Sequence, residues 1–170
     1  MKVVLQMFWR ICLLRQSPAH VPSESWFVTT VVVANLLTSV LVSSLIASEA
    51  NESLISISTL VLVNQAAYAG LLWLATYLRE VPDRFTTTLT AIFGCDLIIT
   101  ALYGLIDVAI LSALDDRFQL AVQLVYGFWG LAISGYILSK SLNVQLGIGV
   151  LLALGISMLS GAAGYTAIGA

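Results

Sequence analysis

Apolar residues run along this chain in five long blocks, and the polar residues collect in short gaps between them. The blocks cover 26–47, 54–78, 86–114, 118–139 and 144–168. Each is about as long as a helix must be to cross a hydrocarbon layer roughly 30 Å thick, which takes about 20 residues. The pattern predicts an all-α integral membrane bundle of five transmembrane helices over 23–170, preceded by a short segment over 1–22. Only short loops are left over, so no extramembrane domain is expected.

The gaps carry helix-ending chemistry. Pro18 and Pro22 break the chain before the first span, and Ser23 suits an N-cap. Pro82, between Arg79 and Arg84, stops one helix before Phe85 opens the next. Trp26, Tyr77, Phe85, Phe118 and Tyr136 fall near span ends, where amphipathic rings prefer the interface. Asn51-Glu52-Ser53 matches a glycosylation sequon, but in a loop that hugs the membrane.

The lead segment has a different pattern. Lys2, Gln6 and Arg10 recur every four residues and share one helical face, while Val3, Val4, Met7, Phe8, Ile11 and Leu14 form a broad apolar remainder. This predicts a short amphipathic helix in the cytoplasmic interface, with Lys2, Arg10 and Arg15 as an anchor near anionic headgroups. It either orients the first span or docks a partner. Arg10 and Arg15 interrupt the apolar core that a signal peptide needs.

Composition agrees with the blocks. Hydrophobic residues make up 59% of the 170 and charged residues 9%, against about 25% charged in ordinary globular domains. A soluble domain with that balance would expose very large apolar patches. A net charge of −2 without a basic stripe argues against a nucleic-acid partner. Cys12, Cys95 and the lone His20 have no metal-ligand spacing, and no catalytic motif is visible. No metal, no cofactor and no enzymatic activity are therefore expected.

Charge sets the expected orientation. Lys2, Arg10 and Arg15 precede the first span, Arg79 and Arg84 lie between the second and third, and Lys140 lies between the fourth and fifth. Arg117 alone lies on the other side. The positive-inside rule then puts the N-terminus in the cytoplasm of a bacterial cell, the spans in its inner membrane and the C-terminus outside.

Inside the blocks, Asp96 and Asp107 stand out, because an ionisable group at that depth is costly and usually faces protein or a wet cavity. They lie on one helical face about 16 Å apart, with Thr100 and Tyr103 close to the same face. Depth counting places Asn35, Asn64, Gln65 and Ser157 near mid-span, level with Asp96, and Gln123 level with Asp107. No block contains Lys, Arg or His, so neither carboxyl has a cationic partner within the hydrophobic depth of this chain. Three readings stand: a polar network that fixes helix packing, pairing with another subunit, and passage of protons or cations. In the last block, Gly149, Ala153, Ser157 and Gly161 recur every four residues, a small-residue face for close helix approach, within the chain or to another subunit.

Two stretches, Arg15-Gln16-Ser17-Pro18 leading to Pro22-Ser23, and Arg84-Phe85-Thr86 leading through Thr90-Ala91 to Gly94, resemble uncharacterised small inner-membrane proteins of proteobacteria. The five-span plan with a cytoplasmic N-terminus also resembles Yip-type membrane proteins, although the Asp-Leu-Tyr-Gly-Pro signature of that family is absent. The expected function is a non-enzymatic accessory or assembly subunit acting through helix contacts, with lipid and either a second copy or another membrane subunit as partners. The alternative is a small proton- or cation-conducting protein that uses Asp96 and Asp107.

Overall fold

In lipid every backbone N–H and C=O must be satisfied within its own segment, so long apolar blocks without internal proline fold as helices. The structure, a computed structural model, describes residues 2–47, 53–109 and 115–169. It contains α1 (Lys2–Cys12), α2 (Ser25–Ala47), α3 (Leu54–Leu78), α4 (Phe85–Ala109), α5 (Asp116–Ser141) and α6 (Leu146–Ala167), with no strand among the described residues. The last five are long and apolar enough to cross a membrane. The chain is a multi-pass helical bundle.

Among the described residues, helix ends follow the blocks closely. Residues 110–114, expected at the end of the third span, lie outside the described residues, as do 48–52 and with them most of the sequon. Ser23 is not the cap of α2. The N–H groups of Phe27 and Val28 both donate to the carbonyl of Glu24, at 2.9 and 3.0 Å, so the helix begins just after Glu24.

Three helices end on a left-handed residue that is not glycine: Leu14 after α1, Glu80 after α3 and Asn143 after α5. In each, the next residue's N–H reaches back to the last turn: Arg15 to the carbonyl of Arg10, Val81 to Thr76 and Val144 to Ser139. These are Schellman closures, which satisfy carbonyls the helix leaves unpaired. Arg84 Nη1 and Arg79 Nη2 donate to the carbonyls of Ser141 and Leu142, at 3.1 and 3.5 Å. Cations thus sit at the negative end of α5, where the helix dipole favours them.

The five long helices close a ring. α2 packs on α4, α4 on α5, α5 on α6, α6 on α3, and α3 returns to α2. At the end marked by Arg79, Arg84 and Lys140 the ring is filled with side chains. Leu72, Thr76, Thr88, Thr90, Ile137, Leu138 and Leu142 are all fully buried there. α5 and α6 approach closely at that end because Gly149 faces Gly135 and Ser139; a Cβ on Gly149 would collide with backbone.

α1 packs on the flank of α4 at Gly94 and Cys95. Gly94 leaves room for the Phe8 ring, and Phe8 stacks on Phe27 with ring centroids 6.3 Å apart. The thiols of Cys12 and Cys95 lie among these contacts, at 4.0 Å from the Cys95 carbonyl and 3.9 Å from the Phe8 carbonyl respectively. Trp129 Nε1 donates to the carbonyl of Cys12 at 3.2 Å. Amphipathicity was legible, but the gap at Gly94 that receives the apolar face lies on another helix.

Candidate functional site: a polar cavity within the ring

Toward the other end, the ring is hollow. All five long helices contribute to a half-open cavity of about 710 Å³. Its wall comes from the second halves of α2 and α6, the middle of α4, and α3 and α5 from their first halves to mid-length. Because consecutive helices run in opposite directions along the chain, these portions all lie from mid-bundle toward the end away from Arg79 and Arg84. The first half of α5 lines part of the cavity, and its residues Phe118, Leu120, Leu124, Val125 and Phe128 are exposed.

The floor of the cavity holds a polar cluster. Asn35 of α2 is completely buried, and its Nδ2 donates to Asp96 Oδ2 at 2.9 Å and to the carbonyl of Phe93 at 2.8 Å. Gln65 of α3 donates from Nε2 to Asn35 Oδ1 and, at 3.3 Å, to Ser39 Oγ. Asp96 lies deep inside the bundle, yet its surface is open to the cavity. One polar atom at the wall, Gln65 Oε1, is buried without a hydrogen-bond partner. Such orphaned atoms are uncommon in native interiors and ask for a water, an ion or a ligand.

Of the residues singled out from sequence, Asn35, Gln65 and Asp96 meet directly, and Asn64, Thr100, Gln123, Ser157 and Gly161 line the same cavity. Asp107 does not. It is half-buried near the end of α4 and outside the cavity wall, with the Tyr103–Tyr126 ring pair (centroids 5.4 Å apart) lying between it and Asp96 along the helix. The two aspartates therefore do not share one cavity.

The small-residue face of α6 divides as well. Gly149 and Ala153 are buried, Gly149 against α5, while Ser157 and Gly161 face the cavity. Gly164, one turn on from Ser160, sits against Leu60 and Asn64 of α3. Among the anchor residues, Arg10 and Arg15 are exposed on and after α1, and the side chain of Lys2 lies outside the described residues.

Tyr68, Ser134 and Ser160 also line the cavity and were not singled out. Counting depth along α3 would have placed Tyr68 near mid-span. Nothing in the pattern of α5 marks Ser134.

Among the described residues no cluster of His, Cys, Asp or Glu could hold a metal ion. Among the described residues, the cavity wall carries one carboxyl, several amides and hydroxyls, and no Lys, Arg or His. Its polar chemistry suits a guest that donates hydrogen bonds or carries positive charge. No protein family, no curated protein and no solved structure matches this chain.

Proposed function

We propose that this is a bacterial inner-membrane protein that takes up a proton or a small cation in the cavity, with Asp96 as the binding group and Asn35 and Gln65 positioning it. One observation carries the reading: Asp96 opens onto a cavity with no cationic side chain in its wall. Ionisable groups at such depth usually mark ion or substrate pathways. The orphaned Gln65 Oε1 adds an acceptor beside it. By the positive-inside rule the packed end, with Arg79, Arg84 and Lys140, faces the cytoplasm, and the cavity lies from mid-bundle toward the outer side. Asp107 has no part in this reading.

Purified protein in proteoliposomes, given a proton or monovalent-cation gradient, tests it. The expected result is a flux abolished by Asp96→Asn, a substitution close in shape. Wild-type vesicles without flux, or an Asp96→Asn protein with full flux, contradict the proposal.

The accessory-subunit reading keeps one supporting observation. The first half of α5 leaves Phe118, Leu120, Leu124, Val125 and Phe128 exposed, a large apolar face on which another chain can seat. The close packing at Gly149 and Gly164 is used within the chain, so a partner would seat on α5. Crosslinking from Leu124 and Val125 in native membranes tests this. A crosslinked second chain supports it, and adducts to lipid alone oppose it.

A further inference from the structure

α1 buries Phe8, Ile11 and Cys12 against the bundle and leaves Gln6, Trp9 and Arg10 outside. The chain then turns through the left-handed Leu14, and this turn returns Arg15 to the same side, its N–H bonded to the carbonyl of Arg10 at 2.9 Å. Gln6, Trp9, Arg10, Leu13 and Arg15 together border a cleft of about 440 Å³. No acidic residue lines it. Around it Leu5, Trp9 and Leu13 are exposed, as on a surface that meets acyl chains.

Two guanidinium groups beside exposed apolar side chains, with no acidic side chain among the described residues that line their cleft, have room for an anion between them. Arginine forks match the oxygens of a phosphate in pairs, and the indole of Trp9 suits the boundary between headgroup and acyl chain. We propose that this cleft is a stoichiometric site for the phosphodiester of an anionic phospholipid, held by Arg10 and Arg15 with Gln6 and Trp9 beside it. This differs from the diffuse attraction of a basic helix lying on a membrane, because the site is shaped by the docking of α1 and the turn at Leu14. It is independent of the cavity and of any flux through it.

Native mass spectrometry of the full chain in neutral detergent tests the site, with phosphatidylglycerol, phosphatidylcholine and inorganic phosphate as separate probes. The expected result is one phosphatidylglycerol per chain, bound in preference to phosphatidylcholine and not displaced by millimolar phosphate. Arg10→Gln and Arg15→Gln should each weaken binding about tenfold, the loss expected for one charge-assisted contact. Arg10→Lys and Arg15→Lys, which keep the charge and lose the fork, should fall between and serve if the glutamine variants fold poorly. Equal binding of the two lipids, displacement by free phosphate, or indifference to all four substitutions overturns the proposal.

Discussion

Asn35 and Asp96, 61 residues apart in the chain, are joined by a 2.9 Å hydrogen bond from the amide Nδ2 to the carboxyl Oδ2. The same nitrogen holds the carbonyl of Phe93 at 2.8 Å, so one amide ties α2 to both the backbone and the acid of α4. This bond sets the floor of the cavity. Replacing Asn35 with Leu removes a buried donor from two acceptors at once. A loss of about 1–3 kcal/mol is expected, read as a lower unfolding temperature in detergent. An unchanged temperature would mean the pair does not form.

The close contact between α5 and α6 gives a sharper contrast. At Gly149 an added methyl meets the Gly135 carbonyl and the Ser139 backbone, whereas at Gly161 it meets nothing within 4 Å. Gly149→Ala should cost about 1–3 kcal/mol, and Gly161→Ala should stay within about 0.5 kcal/mol of the parent. Thermal unfolding of the two proteins in one detergent checks the ordering.

Gly94 holds the N-terminal helix in place through the space it leaves for the Phe8 ring. Gly94→Val should push α1 off α4 while the five-helix ring persists. Hydrogen exchange should then accelerate across 5–12 and stay slow in α4, α5 and α6. Uniform acceleration everywhere would show that α1 is part of the core and not a docked flank.

Glu80 closes α3 in the left-handed region at φ 58°, a conformation that costs a side-chain-bearing residue about 1–2 kcal/mol and glycine very little. Glu80→Gly should therefore raise stability by about 1 kcal/mol, and Glu80→Val should lower it. Unfolding temperatures of both variants test the sign.

How legible these features were depends on what the pattern encodes. The span boundaries were readable because hydrocarbon thickness fixes block length, and Pro82 with Arg79 and Arg84 marks a loop unambiguously. The level shared by Asn35, Gln65 and Asp96 followed from counting rise along each helix. The closures at Leu14, Glu80 and Asn143 were invisible, since none uses the glycine that usually marks that position. The separation of Asp107 from Asp96 could not be read either. Helical periodicity fixes a shared face, but where the cavity ends depends on Tyr103 meeting a ring from α5. The cavity itself had no signature, because the same polar residues could equally have formed a dry network.

One half of the ring is hollow down to Asp96, while the other half is filled with side chains. Thr100 lines the cavity, and Thr90, less than three turns away on the same helix, is fully buried. In a chain with Cys12 and Cys95 replaced by Ala, the direct measurement is the labelling rate of Thr100→Cys and Thr90→Cys by a charged methanethiosulfonate in sealed vesicles. Rapid labelling is expected at 100 and none at 90. Equal silence at both positions, or faster labelling at 90, would contradict this division of the ring.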